Sequence, residues 1–150
     1  MNVIKNTLKR ILPPIFRQAY RKIQYKIFGF EATFKGMNTS DIFDKIYNDG
    51  IWGKDEIGRS TSGSGSHSLD VVKPYVEAVK TEIKMLSCST IVDLGCGDFN
   101  VGKNFIDNCT KYVACDISKI ILEQNQQIYQ YENLEFNQIN IAEDELPKGD

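Results

Sequence analysis

Histidine occurs once, at position 67, and the four cysteines at 88, 96, 109 and 115 form no Cys-x-x-C pair. No zinc-type cluster is visible, so no metal site is expected. With no secretory signal, and with two of the cysteines at buried strand or turn positions, reduced thiols in a cytosol are the reading. A lone histidine in a Gly/Ser loop reads as solvated rather than catalytic. No apolar run approaches the roughly 18 residues of a membrane span, and no uninterrupted signal-peptide core is present. Internal repeats and a second globular domain are also missing. What remains is the composition of an ordinary globular chain, long enough for one domain.

Acidic residues are absent from positions 1–30, which carry seven Lys or Arg, while positions 31–150 carry 11 bases against 20 acids. The first segment is therefore +7 and the remainder −9. Val3, Ile4, Leu8, Ile11 and Leu12 share one helical face; after Pro13-Pro14, Phe16, Tyr20, Ile23 and Ile27 share another. Residues 1–30 thus read as a basic amphipathic extension of two helices ahead of a domain over 31–150. Two roles fit it: peripheral contact with an anionic membrane surface, or a helical extension that packs on the domain. The acidic remainder argues against nucleic acid as a partner.

The most informative stretch is Ile91-Val92-Asp93-Leu94-Gly95-Cys96-Gly97-Asp98. A short apolar run ends in an acid, and glycines follow at alternate positions. This is how a buried parallel strand turns beneath a ligand. A dinucleotide fingerprint wants a third glycine, and Asn100 stands in its place; Asp93 and Asp98 also suit a pyrophosphate poorly. An ordinary strand-to-helix turn that binds nothing stays open as the plainer reading.

Downstream, residues 111–115 read as a second buried strand ending at Asp116, 19 residues after Gly97. Val101, Phe105 and Ile106 give a helical apolar face between the strands. Ser118 predicts an N-cap for a helix from Ile120 to about Gln130 that buries Ile121 and Ile128. Residues 134–141 alternate apolar and polar as a half-buried third strand, ending in Asn140-Ile141. Upstream, Leu69, Val72, Val76, Val79, Ile83 and Leu86 step by three and four as one amphipathic helix, with Asp70 in its first turn. The Ser/Gly stretch 60–68 reads either as a flexible linker or as a loop that closes over a ligand. The fold class is α/β, an incomplete doubly wound, Rossmann-like sheet behind an N-terminal helical extension.

The stretch Asp93-Leu94-Gly95-Cys96-Gly97 resembles the first motif of class I S-adenosylmethionine-dependent methyltransferases. Ile46-Tyr47, Gly50-Ile51-Trp52-Gly53, Ser62-Gly63-Ser64-Gly65-Ser66, Cys96-Gly97-Asp98-Phe99 and Asp116-Ile117 fall in the order seen in a bacterial methyltransferase family often found beside glycosyltransferases. The resemblance runs from about residue 42 to the last. It implies S-adenosylmethionine as cofactor, with Asp93, Gly95 and Gly97 at its methionine end and Asp116 at the ribose hydroxyls. Ile117, Asn140 and Ile141 complete the implied cofactor set. Asn140 departs from the usual Asp, supplying no charge but able to hydrogen-bond a purine or a neighbouring backbone group. The sulfonium and ammonium groups of that cofactor suit nearby carboxylates. A sugar or polysaccharide precursor is the acceptor class implied, in a cytoplasmic setting.

Such sheets normally have about seven strands, of which three are recognisable. The family continues from Leu-Pro-x-x-Asp, here Leu146-Pro147-Lys148-Gly149-Asp150, into a fourth strand carrying Arg-Asp. The expectation is an incomplete methyltransferase, either a fragment or a chain completed by a partner, with the first strand exposed as a sheet edge. No catalytic base is assigned. The alternative is a non-catalytic remnant or interaction module in which the glycine turn is structural.

Overall fold

The computed structural model describes Gly29 and residues 32–150; the rest of the basic segment 1–30 lies outside the described residues. Two compact units divide the chain, Met1–Met37 and Asn38–Asp150. Of the first, the described part is helical through Phe34 and turns at Lys35-Gly36, with the Met37 amide donating to the Phe34 carbonyl.

The second unit opens with α1, Thr39–Asp49. Asn38 caps it by accepting from the Asp41 amide, and Gly50 ends it in the left-handed conformation. A short antiparallel bridge, Lys54 with Ser60, closes a turn in which Asp55 accepts from the Ile57 and Arg59 amides. After a 3-10 turn at Ser64–Ser66 comes α2, Leu69–Leu86, whose end is closed by Ser87 in the left-handed region. The strands are β1 (Thr90–Leu94), β2 (Lys111–Asp116) and β3 (Leu134–Gln138), with α3 (Lys119–Ile128) between the last two. They pair in parallel in the order β1-β2-β3, with Val92 opposite Val113 and Ala114 opposite Phe136. The protein is α/β, with a three-stranded parallel sheet and helices.

Side chains alternate across a strand, so Ile91, Tyr112, Ala114, Leu134 and Phe136 form one sheet face. There they meet Val76 and Ile83 of α2 together with Phe99, Phe105 and Ile106. Tyr47 of α1 packs with Ile121 and Leu122 of α3 in a second cluster that shares Phe136 and Cys96.

Several expectations change. The segment after the glycine turn is a 3-10 helix, Gly102–Asn108, that buries Phe105 and Ile106. The Asn104 side chain donates to the Asn100 and Val101 carbonyls, competing for acceptors that an α-helix needs. The α2 stripe is buried at Val76 and Ile83, but Leu69 is 80% exposed and Leu86 is exposed as well. An 18-residue helix spans about 27 Å, against about 17 Å for a five-residue strand, so both ends overhang the sheet. In α3 the buried residues are Ile121, Leu122 and Asn125; Ile128, the last helical residue, is exposed. The third strand stops at Gln138, two residues before Asn140.

The first strand is an edge within the three-stranded sheet. Lys111 donates to the Ser89 carbonyl and Gly95 to the Cys115 carbonyl, so odd-numbered β1 residues turn their backbone groups toward β2. Those of Thr90, Val92 and Leu94 face outward. Asp150 occupies the start of that edge: its amide donates to the Thr90 carbonyl at 3.1 Å, and its carboxylate accepts from the Ser89 and Thr90 amides.

Candidate functional site

The site is the turn that β1 leads into. Gly95 and Cys96 both donate their amides to the Cys115 carbonyl at 2.8 Å, which bends the chain sharply over the end of β2. Gly95 has φ +88° and Gly97 φ +53°, conformations that side chains resist. Phe99 also has a positive φ, +59°. Its fully buried ring makes edge-on contacts with Tyr112, Tyr129 and Phe136 at 5.2–5.4 Å, and that packing holds the strained backbone.

The turn is pinned from below and above. Below, the Gly97 amide donates to Asp116 Oδ2 at 3.0 Å, and Asn125 Nδ2 donates to the Gly97 carbonyl at 2.7 Å. The Asn125 Oδ1 is buried with no partner among the described residues. Above lies the Ser/Gly loop. The Ser62 amide donates to Asp98 Oδ2 at 2.9 Å, while the Asp98 amide donates to Ser62 Oγ at 2.8 Å. His67 Nε2 stands 2.6 Å from the same Asp98 Oδ2. Asn100 Nδ2 donates to the Ser66 carbonyl at 2.7 Å. Further back, Ser60 exchanges two hydrogen bonds with the Gln124 side chain, and its hydroxyl donates to the Tyr47 carbonyl. The stretch 60–68 is therefore an anchored loop on the glycine turn; His67 is exposed, as expected, and in addition meets a carboxylate.

Loop and turn together wall a cleft of about 420 Å³, a volume in the range of small-molecule sites. Ser62 and Ser66 line it from the loop, Asp93 and Gly95–Asp98 from the turn. Tyr75, Val79, Ile83, Phe105 and Tyr112 supply its apolar wall. Its charged lining residues are Asp93 and Asp98, and no Lys or Arg lines it.

Burial raises the Asp93 carboxyl above the ordinary aspartate value; the Tyr112 hydroxyl, donating at 3.0 Å, opposes the rise, and Asp116 adds to it. Asp116 is raised for the same first reason, against the amides of Ser118, Gly97 and Ile117, with Asp44 adding repulsion. The Cys96 thiol is pushed far up by burial and then by the two aspartates, which disfavours its thiolate. Tyr47 and Tyr112 are raised by burial in the same way.

The structure thus brings Asp93, Gly95 and Gly97 to one cleft and places Asp116 beneath them. Asp116 is 7% exposed, with Oδ2 on Gly97 and Oδ1 accepting from the Ser118 amide. The Ile117 carbonyl accepts from Ser40 Oγ and Gln138 Nε2. Asn140 and Ile141 are not part of the cleft. Asn140 Oδ1 accepts from the Ala142 amide and its own amide donates to Asp144, so it organises a turn, and Ile141 is exposed.

Sequence reasoning missed Ser62, His67 and Asn100 as partners of the turn. Periodicity carries no signal for a loop of small residues; only the ordered recurrence of Ser-Gly-x-Gly-Ser before Cys-Gly-Asp-Phe pairs the two segments. Among the described residues, no group of three or more His, Cys, Asp or Glu could hold a metal ion, and no helix is long and apolar enough to cross a membrane. All four cysteines are free thiols. No protein-family model matches the chain, and no curated protein matches it either.

Proposed function

We propose that residues 38–150 are the cofactor-binding part of an S-adenosylmethionine-dependent methyltransferase. One observation carries the reading: the cleft against the glycine turn bears two carboxylates, Asp93 and Asp98, and no basic side chain. A phosphate ligand would meet repulsion there, whereas a ligand with ammonium and sulfonium charges would meet attraction. Asp93, Gly95 and Gly97 would hold its amino-acid end, and Asp116 would serve the ribose side from beneath the turn. The cofactor would supply an electrophilic methyl group to a nucleophilic acceptor. The protein's part is to position and to exclude water, for which an anchored loop over a tight turn is suited. A sugar or polysaccharide precursor as acceptor, and a membrane-surface contact through residues 1–30, rest on the family resemblance and the charge pattern. The outward backbone groups of Val92 and Leu94 support a further strand, from whichever chain, pairing with β1.

Calorimetric titration with S-adenosylhomocysteine tests the reading. Micromolar binding, weakened at least tenfold by Asp93→Ala, is expected. A folded chain that does not bind, or that binds unchanged in both Asp93→Ala and Asp116→Ala, overturns it.

A second reading has its own observation. Both oxygens of Asp116 already accept backbone amides and the residue is almost wholly buried. That favours a structural glycine turn in a binding or interaction module, and Asp116→Ala would then lower stability alone.

A further inference from the structure

We propose that His67 and Asp98 form a proton-operated latch that sets how tightly the Ser/Gly loop closes over the cleft. The proposal rests on the cofactor reading only for the identity of the ligand; the latch itself stands on four contacts between loop and turn.

Asp98 is the hub. It is 7% exposed, yet three groups converge on it from the loop: the Ser62 amide, the Ser62 hydroxyl and the His67 ring. The fourth contact, Asn100 Nδ2 to the Ser66 carbonyl, closes the far side. Ser62 and His67 therefore share one carboxylate oxygen, Oδ2, five residues apart along the loop. The His67 side chain is 40% exposed, so protons reach it from solvent without any opening. His67 does not line the cleft, which leaves it a holding role and no contact with a reacting group.

Charge decides the strength of the latch. With an imidazolium at His67 the Nε2–H to Oδ2 bond joins opposite charges; with neutral imidazole it is an ordinary hydrogen bond. The charged groups around the pair are few. The turn brings Asp98, the 3-10 turn Ser64–Ser66 brings none, the 3-10 helix Gly102–Asn108 brings Lys103, whose ammonium is held by Asn100 Oδ1 at 2.7 Å, and Asp70 stands three residues after His67 in the first turn of α2. The phenols of Tyr47 and Tyr129 stand near Asp98, both raised by burial and neutral across the relevant range. No base in this set competes for Asp98, and Arg59 is engaged by Asp55 at 2.6 Å. The loop is therefore held more tightly when the ring is charged than when it is neutral.

Because the chain has a single histidine, one ¹⁵N-labelled sample reads both halves of the latch. The ring nitrogen shifts report the charge state and tautomer of His67. Hydrogen exchange at the Ser62 amide, expressed as a protection factor, reports closure, with the Ala114 amide in β2 as the control for global opening. Ser62 protection should fall about tenfold as His67 deprotonates, the difference between a charge-assisted and a neutral bond, while Ala114 protection holds. Neutral His67 should carry its proton on Nε2. In His67→Gln, Ser62 protection should be lower at acid pH and flat across the same range. Asp98→Asn should abolish the pH response while leaving the histidine in place. Equal pH dependence of Ser62 protection in wild type and His67→Gln would overturn the latch. So would a His67 titration with no change at Ser62. The same samples titrated with S-adenosylhomocysteine judge the cofactor reading separately. Absent binding with an intact exchange pattern rejects the ligand, and binding without the exchange pattern rejects the latch.

Discussion

The amide of Gly97 donates to the carboxylate of Asp116 at 3.0 Å, tying the turn after β1 to the end of β2 across 19 residues. The same carboxylate takes the Ser118 amide, so Asp116→Ala would leave two buried donors unpaired. Each orphaned donor costs about 1–3 kcal/mol, and relief of the buried charge offsets part of the loss. The expected outcome is a lower urea midpoint with an unchanged slope, and a smaller loss in Asp116→Asn, which retains one acceptor oxygen.

Gly97 has no room for a side chain. A β-carbon there would collide with Ser62 Oγ and stand 3.3 Å from the Tyr47 hydroxyl, whereas one on Gly95 would meet nothing within 4 Å. Both positions carry the strain of a positive φ, about 1–2 kcal/mol for alanine. Gly97→Ala should cost more than that and loosen the loop. Adding Ser62→Gly should recover the steric part in Gly97→Ala and nothing in Gly95→Ala. Six urea melts, of wild type, the three single variants and the two doubles, complete the comparison; additivity of the Gly97 and Ser62 changes would contradict it.

Phe99→Ala should be among the most damaging single changes in the second unit, costing about 3–5 kcal/mol. Three rings lose their common partner, and the backbone loses the packing that holds a bulky residue at positive φ. Loss of the near-ultraviolet circular dichroism of the aromatic cluster should accompany the fall in midpoint.

Acid should stabilise the unliganded protein before it denatures it. Burial keeps the Asp93 and Asp116 carboxyls above the ordinary 3.8. The folded chain therefore holds more protons than the unfolded one between 3.8 and the raised values, and stability rises as pH falls through that window. Asp150 and Asp55 have the other sign. Bonds from Ser89 and Thr90 lower Asp150; burial pulls Asp55 up, but the bonds from Arg59 and Ile57 outweigh it. Their contribution disappears below 3.8. A ligand ammonium favours ionised carboxylates, so affinity for S-adenosylhomocysteine should weaken over the range in which the free protein gains stability. Thermal melts and titrations in the His67→Gln background, which removes the histidine's own contribution, test both limbs; parallel movement of the two would be the wrong outcome.

What could be read from the sequence was whatever a single element encodes in its own spacing. The apolar runs around Val92 and Val113 gave both strands, and the Ser118 side chain does accept from the Ile121 amide. The limits of each element depended on neighbours. Leu69 and Leu86 continue the stripe of α2, yet the sheet beneath them is too short to cover them. Residues 139–141 continue the alternation of β3, but Asn140 engages Ala142 and Asp144 in a turn, and the Ile139 amide donates to Asp116. Of the site, the glycine turn and Asp116 were legible because they follow strands. The grip of Ser62, His67 and Asn100 on that turn was not, since it joins residues more than thirty positions apart through polar contacts that leave no periodic trace.

The carboxylate of Asp150 accepts from the Ser89 amide, the Ser89 hydroxyl and the Thr90 amide, 60 and 61 residues back along the chain. This sets an order in time. During synthesis, β1, β2 and β3 all emerge before the residue that fastens the beginning of β1, and closing so long a loop adds its own entropic delay. Thr110 and Lys111 hold the Ser89 carbonyl on the β2 side early, but the outward side of those opening residues is secured last, and a growing chain must carry that outer edge unclasped until Asp150 has been made.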